Sequence, residues 1–276
     1  MPRDVTGVGV GVRMEFAQEL LDTERQVDWL EITPENWMVA GGKNAWLLAE
    51  LSRRWTIVPH SVSFSIGGPD PLDEELLAQA FAVIEAVDPP FWSDHLSYSR
   101  VGGVYTHDLL PLPFTDEAAS HVAERAASFR SRLEVPLLLE NPTLYAIPPG
   151  SEMSECEFIG ASLRASGCEM LLDVNNVYVN SLNHRYDARR FIDQLPLEKV
   201  RQIHLAGHTR KGQFVIDTHR GPVPEPVWDL YRYVLRRASS PIPTLIEWDV
   251  DIPPLGVLID EVERARACCR EVFGPP

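Results

Sequence analysis

The chain has 276 residues, of which 45% are hydrophobic, and its formal net charge is -15. This charge argues against a nucleic-acid partner, because such binding depends on lysine and arginine side chains that neutralise phosphates. No stretch approaches the roughly 18 apolar residues of a membrane helix, so we expect no membrane partner. The length is close to the roughly 250 residues of one barrel domain, and the composition does not change along the chain. We therefore expect a single domain over residues 1–276.

Eight short apolar runs predict buried β-strands. The first spans residues 5–12 and ends at Arg13. It follows Met1-Pro2-Arg3-Asp4 directly, without the apolar region of a signal peptide, which predicts a cytoplasmic protein. Each of the other seven runs ends at a carboxylate or an imidazole, namely Glu31, His60, His95, Glu140, Asp173, His204 and Glu247. The runs are almost continuously apolar, as is typical of a parallel sheet covered on both faces.

Segments with helical periodicity separate these strands. They span residues 15–25, 43–54, 73–87, 116–133, 154–165, 187–195, 226–238 and 255–273. In the third segment, for example, Leu77, Ala80, Phe81 and Ile84 share one helical face. A strand followed by a helix, eight times over, predicts an α/β fold of the (β/α)8 TIM barrel type.

The polar residues at the strand ends are the main functional signal. The carboxyl ends of all barrel strands meet at one face, where catalytic residues of this fold lie. Buried charges that face one another are costly unless a bound ion compensates them. Because imidazole and carboxylate groups are good metal ligands, we predict a catalytic metal site formed by His60, His95, Glu140, Asp173, His204 and Glu247.

Further candidates lie in the segments that follow the strands. In Asp217-Thr218-His219 the first and third side chains point the same way if the backbone is extended, so they would supply ligands for another metal. Gly207 argues against a helix that carries both His204 and His208, so His204 is the better ligand. Residues with a weaker claim to contact substrate or the ligands are Glu31, Asn141, His208, His107 and His184. His121 lies among charged residues of a helix and is expected to face solvent.

The four cysteines do not form a C-x-x-C pair. Cys156 and Cys168 are isolated, and Cys268-Cys269 lies in the last predicted helix. This spacing argues against a structural zinc site or a thioredoxin-like site. We expect free thiols in a reducing compartment.

Several motifs, which together cover nearly the whole chain, resemble those of the multinuclear non-heme iron-dependent oxidative enzymes, a family that includes the methanobactin-synthesis oxidase. They are Leu139-Glu140-Asn141-Pro142, Ile203-His204-Leu205-Ala206-Gly207-His208, Asp217-Thr218-His219 and residues 27–37, 92–96, 172–179 and 246–249. The resemblance implies a xylose isomerase-like barrel that holds two or three iron ions, mixed Fe(II) and Fe(III), with O2 as co-substrate. It implies oxidation of a cysteine in a ribosomally synthesised precursor peptide, and a small partner protein that recognises the leader of that peptide.

The order of ligands also resembles that of the trinuclear zinc site of apurinic endonucleases. This resemblance implies that Glu140 bridges two metals, one completed by His60 and His95 and the other by Asp173, His204 and Glu247. A third metal would take Asp217, His219 and Asn176. Asn176 stands where that pattern has a histidine, and an amide oxygen is a weaker ligand for a transition metal. The third site is therefore predicted to lose its metal first.

Two other functions compete with peptide oxidation. A sugar isomerase or epimerase of similar fold would use two divalent metals, and Asp217 and His219 would then be surplus. A trinuclear-metal phosphodiesterase would place basic residues near its metals, which the charge of -15 disfavours for DNA. For peptide oxidation the product stays open among an oxazolone with thioamide, a thiooxazole and carbon excision.

Overall fold

A computed structural model describes residues 5–23, 27–38 and 41–275 of the chain. The end of the first predicted helix at residues 24 and 25, and both ends of the expected domain, lie outside them. Twelve strands lie within the described residues: β1 (Val8–Gly11), β2 (Leu30–Ile32), β3 (Ile57–Pro59), β4 (Trp92–His95), β5 (Ser97–Val101), β6 (Val104–Pro111), β7 (Leu137–Glu140), β8 (Glu169–Asp173), β9 (Val200–Ala206), β10 (His208–Lys211), β11 (Phe214–Asp217) and β12 (Thr244–Glu247).

Eight of these strands form a parallel sheet in the order β3-β2-β1-β12-β9-β8-β7-β4. A parallel bridge between His60 and Ser93 brings the two outer strands, β3 and β4, together and nearly closes the sheet. The predicted (β/α)8 TIM barrel is confirmed. Closure matters for function because it brings the ends of strands that are distant in sequence to one opening.

Helices follow the barrel strands, and their starts agree with local sequence signals. They are α1 (Ala17–Asp22), α2 (Gly42–Arg54), α3 (Glu74–Val87), α4 (Asp116–Arg130), α5 (Glu155–Ser166), α6 (Val174–His184), α7 (Ala188–Gln194), α8 (Glu225–Arg237) and α9 (Leu255–Phe273). The side chain of Asp73 caps α3 and that of Thr115 caps α4. Ser154 and Glu157 form a capping box at α5, which satisfies two backbone N–H groups at once.

Helix α6 and two hairpins are absent from the sequence prediction. Helix α6 contains four asparagines and three β-branched valines among its 11 residues, which gives it weak helical propensity. Asp173 nevertheless starts it, because its carboxylate accepts a hydrogen bond of 2.6 Å from the backbone N–H of Asn176. Strands β5 and β6, and β10 and β11, form antiparallel hairpins in segments for which no strand was predicted.

The barrel strands use their two faces differently, with a period of two residues. Outward side chains pack against the helices, and the buried face of α3 confirms the predicted contact surface of Leu77, Ala80, Phe81 and Ile84. Inward side chains form a separate apolar layer, which we call the lower layer: Val5, Trp29, Val58, Phe91, Leu138, Leu171 and Leu245. Gly9 makes room for it, because a Cβ there would lie 2.5 Å from the Trp29 ring. Burial of each large side chain contributes roughly 1.5–3 kcal/mol.

A candidate metal centre at the carboxyl ends of the strands

The seven polar strand-end residues lie together directly above the lower layer. Glu31, His60, Glu140, Asp173 and Glu247 each follow a lower-layer residue by two positions, at Trp29, Val58, Leu138, Leu171 and Leu245. The side-chain period of a strand therefore turns all of them inward. Above them opens a cavity of about 830 Å³, which we call the metal cavity. Every one of the seven is less than 10% exposed, so a large set of ionisable groups is buried beneath this cavity.

His60 and His95 converge on Glu140. Their Nε2 atoms lie 3.2 Å and 3.3 Å from the same carboxylate oxygen, Glu140 Oε2. That oxygen is buried and has no hydrogen bond of acceptable geometry. The other ring nitrogen of His60, Nδ1, lies 2.9 Å from the hydroxyl of Ser93, and this contact fixes the orientation of the ring. Two imidazoles and one carboxylate thus face a common point, in the arrangement that the sequence predicts.

His204 stands between two carboxylates. Its Nδ1 lies 3.0 Å from Glu247 Oε2, and its Nε2 lies 3.0 Å from Glu31 Oε2. Gln202 donates from Nε2 to the same Glu31 oxygen over 2.6 Å. Glu31 is therefore much closer to the ligand set than its weak sequence claim suggests. A carboxylate that accepts the Nε2 proton of His204 leaves the lone pair on Nδ1, directed at Glu247.

Asp217 and His219 lie at the edge of the cavity, on and after strand β11. His219 Nε2 is 2.9 Å from Asp217 Oδ1, and His219 Nδ1 is 3.3 Å from Glu247 Oε2 and 3.1 Å from Asp249 Oδ2. Asp249 also pairs with the guanidinium of Arg13. His219 thus lies within reach of the strand-end candidate ligands, and it forms a group with Asp173 and Glu247 whose donor atoms lie within 4.8 Å of one another. Asp217 contacts this group through His219.

Asn176 lines the cavity, but its amide is already engaged. Its Oδ1 accepts a hydrogen bond of 2.6 Å from the Thr143 hydroxyl, and its Nδ2 donates to the carbonyl of Asn141 over 3.1 Å. Its Nδ2 also lies 3.5 Å from Glu140 Oε1. Binding of a metal by the amide oxygen therefore requires the bond from Thr143 to break. The role of Asn176 as a ligand stays a prediction.

Asn176 begins a polar stripe along α6 that continues with Asn180 and His184, four residues apart. All three bind residues 142–145, a segment that follows β7 and that we call the strap. Asn180 accepts from the backbone N–H of Leu144 over 2.7 Å and donates to the carbonyl of Pro142 over 3.1 Å. His184 Nε2 donates to the carbonyl of Leu144 over 2.7 Å. Helix α6, missed from the sequence, thus holds one wall of the cavity.

The weaker candidates have different positions. His107 lies on β6 with φ of 55° and lines the cavity, as expected for a residue near the mouth. His184 holds the strap and lines a second cavity instead. His208 contacts Asn175 and the ring of Tyr178 and is not among the residues that line the metal cavity.

Asn141 donates a hydrogen bond to the backbone carbonyl of Asp173 and accepts one from its backbone N–H, so it joins β7 to the end of β8. His121 is not free in solvent as expected, because its Nε2 donates to the carbonyl of Gly68.

The electrostatics of this cluster are unbalanced in the protein alone. Burial lowers the pKa of His60 well below its usual value, and the adjacent His95 adds to this effect. Burial also acts on His95, but the carboxylates of Glu140 and Asp94 outweigh it and raise its pKa to about 9. Burial raises the pKa of Glu140 to about 7. One carboxylate cannot satisfy two imidazoles, whereas a cation bound between them favours neutral imidazoles and an ionised carboxylate.

The donor set fits metal ions. Atoms bound at about 2.1 Å to one metal lie roughly 3–3.5 Å apart, which is the spacing seen around Glu140 and around His204. Glu140 Oε2, Asp173 Oδ2, His204 Nδ1 and Glu247 Oε2 are buried and lack hydrogen bonds. The donors are nitrogen and oxygen, and all four cysteines are free and lie elsewhere. Imidazole with carboxylate suits iron, zinc or manganese rather than metals that prefer thiolate.

Sequence reasoning missed several residues that complete this site. Arg13 pairs with Asp249 and lies 3.8 Å from Glu247, so it compensates part of the acidic charge. The carboxylate of Glu35 holds the chain after His60, because it accepts from the hydroxyl of Ser61 over 2.6 Å and from two backbone N–H groups. Arg13 ends the first predicted strand, and this position could have signalled its role. Nothing in the local sequence signals the role of Glu35.

Fold and site together define a (β/α)8 barrel with a candidate multinuclear metal centre at the carboxyl ends of its strands. The chain belongs to the family of RiPP precursor modification enzymes MbnB/TglH/ChrH, whose model it matches over residues 7–270. RiPPs are ribosomally synthesised peptides that are modified after translation, so this enzyme family acts on precursor peptides. The expected family resemblance is therefore confirmed.

Similar chains and structures agree with this assignment. A UPF0276 protein of Anaeromyxobacter sp. is 44% identical over 95% of this chain and 93% of its own length. A UPF0276 protein of Acinetobacter baylyi is 41% identical over 95% of this chain and 91% of its own. D-psicose 3-epimerase superposes over 98% of this chain and 100% of its own, with a TM-score of 0.62 and 12% identity. Endonuclease IV of Thermus thermophilus covers 96% and 99%, with a TM-score of 0.54 and 14% identity. These two structures share the fold.

Across the described residues, helices long and apolar enough to span a membrane are lacking.

Proposed function

We propose that this protein is an iron- and O2-dependent enzyme that oxidises a cysteine of a precursor peptide. The observation that carries the proposal is the convergence of buried imidazoles and carboxylates on Glu140, Glu247 and His204 in a chain of a peptide-modifying family. The chain acts as a single domain over residues 1–276 in the cytoplasm, where the free thiols of the protein and of its substrate stay reduced.

The catalytic residues are the metal ligands. In this proposal His60, His95 and Glu140 would hold one iron, Asp173, His204 and Glu247 would hold a second, and Glu140 would contribute to both sites. Asp217, His219 and Asn176 would hold a third. Iron bound there supplies one-electron oxidation with O2 and favours the thiolate form of a cysteine that binds it. The chain itself fixes the ligands: Ser93 orients His60, Glu31 orients His204, and Asn141 orients Asp173 through its backbone.

The cavity above the ligands suits one side chain of a peptide together with its neighbours. Its volume of about 830 Å³ lies within the range of ligand sites. Tyr105, His107 and Leu109 of the β5–β6 hairpin form one wall, and Tyr145 and Val250 lie on others. Tyr145 and Val250 expose 42% and 36% of their surface, so apolar groups that contact a peptide are available at the mouth. A buried thiol at the bottom would be shielded from water by the rest of the peptide.

The charges that line the cavity disfavour the two competing functions. Arg13 is the single lysine or arginine among the lining residues, and it is paired with Asp249 and close to Glu247. A phosphodiester would find no free cation there, so the phosphodiesterase alternative lacks support. The sugar epimerases share only the fold at 12% identity. Two-metal epimerisation also leaves His219, which is half-buried between three carboxylates, without a role.

A thiol–metal contact selects poorly among peptides, so recognition needs more surface than the metal cavity. We propose that a small partner protein binds the leader of the precursor and presents its cysteine to the barrel. Co-purification of this protein with the products of adjacent genes checks the partner. Tight binding of a leader-free core peptide to the barrel alone would contradict the need for one.

The proposed reaction can be tested by co-expression in iron-supplemented cells with short cysteine-containing reading frames from beside the gene. We expect two or three irons per chain, partly ferric, and an oxidised peptide detected by mass spectrometry. The same peptide with cysteine replaced by serine, and wild-type peptide incubated without oxygen, are the controls and should stay unchanged. Turnover by protein that holds only zinc or magnesium would overturn the assignment of iron.

A further inference from the structure

A second cavity lies on the far side of the strap from the metal cavity, outside the barrel. Its volume is about 600 Å³, and its walls come from the segment before α5, the turn between α6 and α7, and α7 itself. Neither the metal ligands nor any residue of the metal cavity lines it. It therefore has no part in the reaction as described above.

The strap and the residues that follow it lie between the two cavities. Thr143 and Tyr145 line the metal cavity, and Ile147, only two residues beyond Tyr145, lines the second cavity. An extended chain advances roughly 3.3 Å per residue, so these two wall residues are within about 7 Å along the chain. The strap is held in place by Asn180 and His184, as described, and by the Tyr145 hydroxyl, which accepts from the backbone N–H of Asp217 over 3.1 Å. A peptide of a few residues can therefore reach from one cavity across a fixed ridge into the other.

The second cavity has an apolar floor that is partly open. Phe114 and Phe191 are buried beneath it, and Met153 contributes to the same surface. Ile147 is 51% exposed at its edge. An apolar side chain from another molecule would cover this surface and remove it from water, which is favourable.

The polar rim of this cavity carries two arginines, although the chain as a whole is acidic. Arg185 and Arg190 line it, are exposed, and have no ion-pair partner among the described residues. Of the two carboxylates that line it, Asp187 accepts hydrogen bonds from the backbone N–H groups of Arg189 and Arg190 at the start of α7. The other carboxylate belongs to Glu155, whose pKa burial raises to about 8, which disfavours its charged form. In a chain of net charge -15, such a rim favours an acidic ligand.

We propose that the second cavity binds a segment of the precursor peptide that combines an apolar or aromatic side chain with acidic neighbours, a few residues from the reacting cysteine. The assignment of the ligand as precursor peptide rests on the proposed function, whereas the preference for an acidic and apolar segment rests on the cavity alone. Such a subsite adds selectivity for the core of the peptide to the recognition of the leader by the partner protein. It also fixes the distance between the recognised segment and the oxidised residue.

Random dodecapeptides without cysteine, displayed on phage and selected against the iron-loaded protein, are the probe. We expect enriched peptides to combine Asp or Glu with Phe, Leu, Ile or Trp. A selected peptide, synthesised with a fluorescent label, should bind Arg190→Glu and Ile147→Asp about tenfold more weakly than the unsubstituted protein, by fluorescence anisotropy. Both positions are exposed, so these substitutions should leave folding intact.

Arg189→Glu is the matched control. It changes the same charge one residue earlier in α7, but Arg189 stacks on the ring of Tyr233 and does not line the cavity. Binding to this variant should stay within about twofold of the unsubstituted value, since exposed charges away from a site act weakly. Selected peptides of no consistent character, or peptides that bind Arg190→Glu and Arg189→Glu equally well, would overturn the subsite.

The two proposals fail separately. Cavity-dependent binding of acidic and apolar peptides by a protein that does not oxidise any cysteine peptide supports the subsite and removes the proposed reaction. Oxidation of a cysteine peptide at equal rates by the unsubstituted protein and by Arg190→Glu, together with peptide selection that fails, removes the subsite and keeps the reaction.

Discussion

The two ends of the barrel interior contrast sharply, although the same strands build both. Toward the amino ends, the lower layer is entirely apolar, with Leu138, Leu171 and Leu245 fully buried. Two residues further along the same strands, Glu140, Asp173 and Glu247 are just as buried but ionisable. Burial of the lower layer gains free energy, whereas burial of the ionisable strand-end residues costs free energy that a bound cation would offset. The residues that stabilise the fold and the candidate metal ligands are thus separated by one strand period.

The largest effect that would test this contrast between the two ends of the barrel is on the free energy of unfolding. Leu171→Ala should lower the free energy of unfolding of the metal-free protein by about 2–5 kcal/mol, because it leaves a cavity in the lower layer. Asp173→Asn, two residues away, should leave that free energy unchanged or raise it. It removes a carboxyl whose pKa burial and Glu140 hold well above its usual value, and Asn still caps α6. Urea denaturation of both variants checks this, and equal losses would contradict the separation of the two layers.

The second effect concerns metal content. Glu140→Gln removes the charge shared by two groups of ligands, so the occupancy of both sites should fall, whereas His95→Ala should mainly empty one. Elemental analysis with Mössbauer spectroscopy of iron-loaded protein would separate the two cases. Full metal content and activity in Glu140→Gln would show that Glu140 does not bridge metals.

A smaller effect on metal affinity is expected at Glu31, whose carboxylate contacts Nε2 of His204. Glu31→Gln keeps the size of the side chain but weakens the acceptor for His204 Nε2 and for Gln202. Loss of a residue that orients a ligand typically lowers metal affinity about 10–100-fold. Competition with a chelator measures this loss. Glu50→Gln, at a surface carboxylate of α2, is a control of equal chemistry and should have no effect.

The smallest effect is expected at Asn176. The site that Asn176, Asp217 and His219 would form should lose metal first under mild chelation, because an amide oxygen is a weak ligand and this one is bonded to Thr143. Asn176→His should raise the occupancy of this site and Asn176→Ala should lower it, while the pair of metals at Glu140 stays bound. Anomalous diffraction at the iron edge compares the three proteins. Equal occupancy in all of them would remove Asn176 from the ligand set.

A site residue could be predicted where its own strand determines its position. It could not be predicted where its role depends on contacts with a distant segment. The strand-end positions His60, His95, Glu140 and Asp173 lie beneath one cavity in the structure, because an apolar run that ends in a polar residue indicates both a strand and the position of its last side chain. Glu31 was underrated because its importance comes from Gln202 and His204, about 170 positions later. His184 was a weak candidate for contact with substrate, and it lines the second cavity because nothing local shows which side of the strap it binds.

By itself, the sequence determined the alternation of strands and helices, the barrel, and the inward turn of the strand-end ligands. Each of these follows from local periodicity and from the fixed geometry of parallel strands. Only the tertiary structure decided that α6 forms, through a capping carboxylate that is also a candidate ligand. It likewise decided that Asn180 and His184 hold the strap, and that an apolar cavity with two arginines at its rim lies behind it. These features depend on hydrogen bonds and packing between segments far apart in the chain, which no local pattern records.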